Sequence, residues 1–526
     1  MKLVADLNLG FNDAENYQRR ENKKLFNDIF VKNNYLEELI EPSKFFLIGE
    51  KGTGKTAYSV FLSNNNYKEN ISTLKYIRET DYQKFVALKK SKHLQLSDYD
   101  SIWKVIILLL LAGSLNKSDF NHNPISKRMK MNTLLDAIDN YYMHAFSPEI
   151  ISALQLIDES KLAAETIFNF INAGVEHSQT IKFEESRFQM NLLYIQKQFE
   201  NAFSDIKLKN NHILFIDGID IRPGQIPYAD YLDCVKGLAN AVWSLNNDFF
   251  PSIKDSKRLR VVLLLRPDIF NSIGFQNQTN KLHDNSVYLD WRTTYEDFET
   301  SELFFMMDNL LNSQQKEKAN VGEAWGHYFP WYEPSSNFSK RDRDSSFLCL
   351  LRYSYCRPRD LITMIQLMKS DHKSKRDYDP NYFQSALFHT NSFKEKYSRY
   401  LMGGIKDQLS FYYDAVDYDI FLKFFMFLNG KHKFEFDEYK VAYNDFIDEI
   451  LKSEQVPKFV ESPEQFLQFL YESNIISFRE VHEQGVFDRW CYRERCPSNI
   501  TPKVKLYAKY QIHHGLFKAL NVGRVR

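Results

Sequence analysis

The sequence predicts an α/β fold built around a parallel β-sheet, and three observations lead to this prediction. Short apolar runs alternate with helix-like segments, as expected for strands that are buried on both faces. A glycine-rich loop lies between the first apolar run and the helix-like segment after it. Two later runs end in a charged residue, Asp217 and Arg266. Strands and helices that alternate in this way form a parallel sheet with helices on both faces.

The glycine-rich loop follows the apolar residues 45–48 and fits G-x-x-x-x-G-K-[ST] at every fixed position. Such a loop surrounds phosphate groups with backbone N–H groups, and the positive end of the next helix adds to the attraction. We expect Lys55 to bridge the β- and γ-phosphates and Thr56 to bind Mg²⁺. The predicted nucleotide-binding residues of the motif are Gly49, Gly52, Thr53, Gly54, Lys55, Thr56 and Ala57. A chance match is the alternative, but the flanking strand and helix favour a P-loop NTPase that uses ATP and Mg²⁺.

A further buried strand is predicted at residues 213–216, and it delivers Asp217 at its carboxyl end. An aspartate in this position holds the water shell of Mg²⁺ beside the P-loop threonine, although an ordinary strand can also end in Asp. Asp220 is the candidate to orient or activate the attacking water, because Gly218 stands where many ATPases have Glu. Arg222 is either a finger donated to a neighbouring site or an ion-pair partner of Asp220.

Further core strands are predicted at residues 74–77, 260–265 and 287–291. Arg266 follows the second of these strands, where a cation can sense the γ-phosphate and stabilise charge that develops during transfer. The alternative is an arginine that merely ends a strand in solvent. After the last strand, Thr293 to Asp297 resembles a capping box, which predicts the start of a helix through Leu311.

The chain divides into four predicted parts. They are an N-terminal lead-in over 1–43, a P-loop ATPase core over 44–300, a helical lid over 301–375 and a winged-helix-like domain over 376–526. The lead-in either wraps the nucleotide base or a neighbouring subunit, or forms a surface helix packed by Leu25, Ile29 and Phe30. Within the core, a helical insertion is predicted at about 95–206, because this stretch is persistently helix-like and longer than a bare βαβ unit needs.

The last predicted domain combines helices with a basic tail. Helix-like segments at 418–428, 436–451 and 462–471 precede extended segments that begin at 476 and 504, and this order predicts a winged helix. From residue 489 onward the chain has nine lysines and arginines against a single glutamate. Basic residues interleaved with aromatic ones can bind nucleic acid through phosphate contacts and stacking.

The segment from Cys356 to Ile362, Cys-Arg-Pro-Arg-Asp-Leu-Ile, resembles the lid of AAA+ and STAND-type ATPases. The resemblance implies a second sensor arginine that meets the phosphates, and Arg359 matches it by position, with Arg357 a close competitor. Together with the acid pair and the Leu-Leu-Leu-Arg-Pro-Asp run, most of the chain is similar to a bacterial family of FunZ-type P-loop ATPases. This resemblance includes residues 10–15 and 511–516. It implies a bacterial regulatory switch, possible in antiphage defence, whose winged helix clamps the closed, ADP-bound state.

The bulk composition bounds the partners and the compartment. Lys+Arg and Asp+Glu both number 68, so no global field steers the protein toward nucleic acid or a membrane. Cysteines number 5, which favours a reducing, cytoplasmic compartment over a disulfide scaffold. Cys491 and Cys496 lack a second pair at zinc-ligand spacing. No apolar run reaches the ~20 residues that a membrane-spanning helix needs.

These observations predict a Mg²⁺-dependent ATPase that acts as a regulatory switch and uses Lys55, Asp217, Asp220 and Arg266 in catalysis. Its nucleotide state is expected to gate homo-oligomer assembly or the binding of a protein partner or effector. One alternative is a nucleic-acid-stimulated ATPase that acts through the basic C-terminal region. Another is a scaffold that holds ATP without hydrolysing it.

Overall fold

The computed structural model describes residues 1–77, 96–144, 185–222, 226–334, 343–374, 378–452, 456–483 and 485–523. The chain forms two compact units. The first, here called the sheet unit, comprises Asn34–Ile48 and Lys55–Tyr288. The second, here called the helical unit, comprises Met1–Asn33, Gly49–Gly54 and Leu289–Arg526. The four predicted domain boundaries stay predictions.

The sheet unit contains a five-stranded parallel sheet in the order β2-β3-β4-β1-β5. Its strands are β1 Phe46–Ile48, β2 Asn70–Tyr76, β3 Asn211–Asp217, β4 Leu259–Leu265 and β5 Ser286–Tyr288. The central strands β3 and β4 are almost wholly buried, which explains their continuous apolar sequences. The structure confirms the predicted α/β fold with a parallel sheet.

Helices flank this sheet. Their bounds are Asn34–Leu39, Lys55–Asn64, Leu96–Ser114, Pro124–His144, Glu185–Ser204, Tyr228–Ser244, Pro267–Ile273 and Gln278–Asn285, with a π-turn at Leu245–Phe249. The described residues between β2 and β3 are mainly helical, and the predicted insertion itself stays a prediction. Residues 145–184 of that predicted insertion lie outside the described part of the chain.

Two strand predictions have shifted bounds. The second core strand starts at Asn70, four residues before the prediction, because β2 pairs with β3 along its whole length. The fifth strand spans Ser286–Tyr288 and not 287–291. It ends where its partner β1 ends, at the pair Ile48↔Tyr288, since the chain after β1 enters the glycine-rich loop.

The helical unit is dominated by helices and has two small antiparallel sheets. The helices are Lys23–Ile29, Glu302–Asn312, Glu323–Tyr328, Ser346–Tyr353, Pro358–Ser374, Ser385–His389, Asn391–Leu409, Ala415–Phe427, Phe436–Ile450, Pro463–Glu472 and Cys491–Glu494. The strands are β6 Tyr332–Pro334, β7 Arg343–Ser345, β8 Lys433–Glu435, β9 Ile476–His482, β10 Gly485–Trp490 and β11 Lys509–Ile512. Strand β6 pairs with β7, and the other sheet has the order β10-β9-β11-β8.

The predicted helix start at Thr293 to Asp297 is wrong. The Asp297 N–H donates to the Thr294 hydroxyl at 2.9 Å, but this turn leads into a 3₁₀ turn over Phe298–Thr300. The α-helix begins at Glu302, where the Ser301 side chain accepts a hydrogen bond from the Phe304 N–H. The local Thr-Asp pair therefore closes a turn, and a second cap starts the helix.

The N-terminal lead-in packs within the helical unit against the helix Pro358–Ser374. Gln366 of that helix donates to the Gly10 carbonyl at 2.9 Å. In the short helix Lys23–Ile29 the buried side chain is Phe26, whereas the predicted Leu25 and Ile29 are only half-buried. Phe26 stacks on Tyr17 with ring centroids 4.3 Å apart, so an aromatic contact fixes this helix.

No helix in the described part of the chain is long and apolar enough to cross a bilayer.

Arg260 gives a test of how the sheet unit is held together. Its guanidinium is 4% exposed and donates to the carbonyl oxygens of Leu39 at 2.8 Å and Lys44 at 3.1 Å, and also to that of Glu41. Arg260→Met leaves these carbonyls unpaired, so we expect a loss of about 2 kcal/mol of stability. Thermal unfolding measures it. Arg258→Met, two positions away on an exposed side chain, is the control, and equal midpoints for both variants would contradict the prediction.

Candidate functional site

Thr56 and Asp217 meet at the carboxyl edge of the parallel sheet. Thr56 is the second residue of the helix Lys55–Asn64, and Asp217 is the last residue of β3. The Thr56 hydroxyl donates to Asp217 Oδ2 at 2.6 Å. The other carboxylate oxygen, Oδ1, accepts from the Gly218 N–H at 2.8 Å. The structure thus brings together the two residues that the sequence predicts as magnesium ligands.

The Asp217 carboxylate carries its charge at a cost. Its side chain is only 8% exposed. Burial raises the pKa of Asp217 above its ordinary value of 3.8, and the hydrogen bond from Thr56 partly opposes that shift. The negative charge of Asp220 raises the pKa further, and the positive charge of Lys55 lowers it. A cation placed beside Asp217 would therefore relieve an electrostatic penalty.

Lys55 and Asp220 form the second pair of the site. The Lys55 ammonium is buried and lies 3.6 Å from Asp220 Oδ2. The other oxygen of this carboxylate, Oδ1, is buried and has no hydrogen-bond partner among the described residues. A buried acceptor without a partner is unfavourable, so this oxygen is ready to accept a hydrogen bond from water or a ligand.

Gly218 has a structural reason to lie between the two aspartates. Its φ is +95°, and a Cβ at this position would lie 2.6 Å from the Ile77 carbonyl oxygen. The Ile77 N–H in turn donates to the Asp217 carbonyl at 2.8 Å. No L side chain fits this close approach, so a carboxylate cannot directly follow Asp217 here. The second carboxylate comes instead from Asp220.

Arg266 is buried at the end of β4 and does not end the strand in solvent. Its exposure is 1%. The guanidinium donates to Asp268 through Nε at 3.0 Å and Nη2 at 2.6 Å. Its Nη1 lies 3.5 Å from the backbone carbonyl oxygen of Asp220. Arg222 is also buried and donates to the Ile226 carbonyl. Both arginines therefore bind the protein itself around the Asp220 loop.

The glycine-rich residues Gly49–Gly54 belong to the helical unit. The Thr53 N–H and hydroxyl both donate to the Glu50 carbonyl, at 3.2 Å and 2.8 Å. The Trp291 indole donates to the Thr53 carbonyl at 2.8 Å. Gly52 has φ +90°, and a Cβ there would lie 3.2 Å from the Arg359 Cβ. These contacts shape the loop.

The two candidate sensor arginines differ in their partners. Arg357 donates to both oxygens of the fully buried Asp360, at 2.9 Å and 2.8 Å, and to the Lys51 carbonyl at 2.9 Å. The Arg359 N–H lies 3.3 Å from the Gly52 carbonyl oxygen. Within the described residues, the Arg359 guanidinium makes no hydrogen bond or ion pair. Arg357 is therefore part of the fold, and Arg359 keeps its donors available.

A buried arginine that the sequence argument missed also contacts the loop. Arg495 is 5% exposed and forms an ion pair with Glu50. It also donates to the backbone carbonyls of Glu472 at 3.2 Å and Ile500 at 3.1 Å. Lys51, the next loop residue, pairs with Asp407. No local pattern marks Arg495, because its partner Glu50 lies far away in the sequence.

Carboxylates balance much of the basic tail. The ion pairs are Arg489 with Glu480 and Glu494, Lys505 with Glu480, Lys509 with Glu435, and Arg495 with Glu50. Arg493 stacks over the Tyr295 ring at 4.3 Å from its centroid. Four of the described basic residues of the tail are therefore paired with carboxylates of the same chain.

The donor set at Thr56 and Asp217 fits Mg²⁺. This ion usually takes one or two protein oxygens and completes its shell with water and substrate phosphates. Among the described residues, no group of three or more His, Cys, Asp or Glu side chains could hold a metal by itself. The Thr56 hydroxyl and the Asp217 carboxylate, which share a hydrogen bond, are two oxygen donors of the kind that this ion takes from a protein.

No protein-family model matches the chain, and no curated protein sequence matches it. The resemblance to FunZ-type ATPases therefore stays a prediction.

The raised pKa of Asp217 predicts that this carboxylate, a candidate magnesium ligand, lowers the stability of the nucleotide-free protein. Because the folded-state pKa lies above the unfolded value, the cost of the charge is absent below about pH 3.8, grows as the pH rises, and is complete above the folded-state pKa. Asp217→Asn should therefore stabilise the nucleotide-free protein by about 1 kcal/mol at neutral pH. The gain should shrink as the pH falls toward 4.

Thermal unfolding between pH 4 and pH 8 measures this gain. Asp136→Asn, an exposed aspartate in the helix Pro124–His144, is the control and should show no such gain. A destabilised Asp217→Asn variant at neutral pH would show that the buried charge is not a net cost.

Proposed function

We propose that the protein is a Mg²⁺-dependent ATPase whose nucleotide state acts as a switch. The main support is the 2.6 Å contact between Thr56 and Asp217, which join the end of the P-loop motif to the end of β3. The adjacent pair of Lys55 and Asp220 adds a cation and a second carboxylate. Phosphoryl transfer to water needs a P-loop lysine, a threonine that binds magnesium, an aspartate at a strand end and a further carboxylate.

Each residue of the site has a distinct proposed task. Lys55 would hold the β- and γ-phosphates, and Thr56 and Asp217 would hold Mg²⁺, which would supply positive charge beside the phosphates. Asp220 orients the attacking water through Oδ1, the buried oxygen without a partner in the described residues. Binding of ATP would draw Lys55 toward phosphate and weaken its contact with Asp220.

Arg359 is the proposed sensor of the γ-phosphate. Its backbone lies against Gly52, and its guanidinium makes no hydrogen bond or ion pair within the described residues. Arg357 holds the start of the helix Pro358–Ser374 through Asp360 and so fixes the direction from which Arg359 reaches the loop. The helices from Glu302 to Ser374 are the proposed lid.

The residues after the lid are the proposed winged-helix-like clamp. Three helices, Ala415–Phe427, Phe436–Ile450 and Pro463–Glu472, accompany the sheet β10-β9-β11-β8. Arg495 from this region pairs with Glu50 of the P-loop, so movement of the loop on nucleotide binding would reach the clamp. This contact supports a switch in which the loop reports the bound nucleotide.

The product of turnover is proposed to be a change of assembly or of partner binding. A protein partner or effector, a homo-oligomer, a cytoplasmic location and a role in bacterial antiphage defence follow from the resemblance and composition alone. The ion pairs that Arg489, Arg495, Lys505 and Lys509 make within the chain favour an intramolecular or protein contact over nucleic acid. Solution mass with ADP and with a non-hydrolysable ATP analogue measures the assembly.

Two substitutions test the proposed activity. Lys55→Ala should abolish ATP binding, because the phosphates lose their buried cation. Asp220→Ala should bind ATP within about threefold of wild type and lose at least about 100-fold in turnover, since it removes only the water-orienting group. Equilibrium binding of labelled ATP and phosphate release measure the two effects.

Each other outcome selects a different function. Equal turnover in wild type and both variants would end the ATPase proposal. Tight nucleotide retention by wild type without phosphate release would select the scaffold. Turnover that rises with added DNA or RNA, with a steep salt dependence, would select the nucleic-acid-stimulated alternative.

Arg359→Ala tests the sensor. Charge-assisted hydrogen bonds to the γ-phosphate would be lost, so affinity for a non-hydrolysable ATP analogue should fall about tenfold while affinity for ADP changes little. Isothermal calorimetry with both nucleotides measures the difference. Arg399→Ala, on an exposed arginine of the helix Asn391–Leu409, is the matched control. An equal loss for ADP would assign Arg359 to general phosphate attraction.

A further inference from the structure

The Tyr231 hydroxyl binds the backbone on both sides of Asp220. Tyr231 lies in the helix Tyr228–Ser244 and is fully buried. Its hydroxyl oxygen is 2.8 Å from the Ile219 carbonyl oxygen and 3.0 Å from the Ile221 carbonyl oxygen. A hydroxyl has a single hydrogen, so the two carbonyls share one donor. Their separation is thereby fixed around the residue between them.

The Asp220 carbonyl has its own donor. Nη1 of Arg266 lies 3.5 Å from that oxygen, and Asp268 holds the same guanidinium with two hydrogen bonds. Three consecutive carbonyls, of residues 219, 220 and 221, therefore face side-chain donors from two different elements. The loop is outside regular secondary structure, so these donors replace the hydrogen bonds that a helix or strand would supply.

This anchoring sets the direction of the Asp220 side chain. A carboxylate on an irregular loop can be displaced by about an ångström or more unless its backbone is held. Misplacement by about 1 Å can cost on the order of 100-fold in rate. We propose that Tyr231 is a positioning residue for the reaction, which acts through Asp220. This proposal rests on the proposed ATPase function.

Tyr231 could instead be an ordinary core residue whose ring fills space. The two roles separate chemically, because Tyr231→Phe keeps the ring and removes only the hydroxyl. Tyr443→Phe is a matched control, since the Tyr443 hydroxyl is also buried and donates to a backbone carbonyl, that of Val460, at 2.7 Å. Both variants lose one buried hydrogen bond, and only one of them alters the Asp220 loop.

Steady-state hydrolysis and ATP binding test the proposal in the full-length chain. Tyr231→Phe should lower kcat about tenfold and leave KM and the Kd for ATP within about twofold, since no phosphate contact is removed. Tyr443→Phe should leave kcat within about twofold. In an Asp220→Asn background, Tyr231→Phe should cause no further loss, because the group it positions is gone. An unchanged kcat for Tyr231→Phe, or an equal further loss in the Asp220→Asn background, would overturn the proposal.

Amide hydrogen exchange gives a readout that does not depend on turnover. Exchange at residues 219–222 should become faster in Tyr231→Phe and stay unchanged in Tyr443→Phe. A wild-type protein without ATPase activity would refute the proposed function, yet exchange would still show whether Tyr231 holds the loop. Wild-type turnover combined with unchanged exchange and kcat in Tyr231→Phe would refute the positioning role alone.

Discussion

The buried carboxylate of Asp217 is the constraint on which the site depends. Its charge is unfavourable in place, and the Thr56 hydroxyl, the Gly218 N–H and the nearby Lys55 partly compensate it. Thr56 lies in the helix after β1, and Asp217 is the last residue of β3. These two strands are not neighbours, because β4 lies between them. The parallel register of three strands therefore sets the distance between the two side chains. A cation that binds beside Asp217 would offset the unfavourable free energy of this buried charge.

Glycine at position 218 shows how backbone packing shapes the chemistry. The close approach of Gly218 to the Ile77 carbonyl ties the ends of β2 and β3 together and excludes a side chain. A second acid in direct sequence with Asp217 would clash, so the carboxylate is displaced to Asp220 on an irregular loop. An irregular loop needs external anchors, and Tyr231 and Arg266 supply them. The anchors are thus a consequence of the tight strand packing.

Much of the sheet and of the site could be predicted because their signals are local. Continuous apolar runs predicted β3 and β4, and the spacing of glycines with Lys55 predicted the loop. The sequence analysis does not predict the short strand β8, which pairs with β11, a strand more than 70 residues away in the chain. It also does not predict β10, which forms a hairpin with β9. The false helix start at Thr294 arose because the same side-chain pair also closes a turn. The Glu50–Arg495 pair and the Tyr231 anchor depend on contacts that only the folded chain creates.

Arg266 shows why a strand-end cation has more than the two roles weighed from sequence. The guanidinium is buried and bound to Asp268 and to the Asp220 carbonyl, so it does not end the strand in solvent, and its predicted role toward the γ-phosphate stays a prediction. The Arg266 guanidinium joins the Asp220 carbonyl to the Asp268 carboxylate, so a displacement of one of these groups can be transmitted to the other. In the proposed ATPase, a shift of Lys55 from Asp220 to a phosphate would move the Asp220 loop, and Arg266 would pass this movement to the helix Pro267–Ile273. Arg266 would then respond to nucleotide through Asp220, without direct contact with the nucleotide.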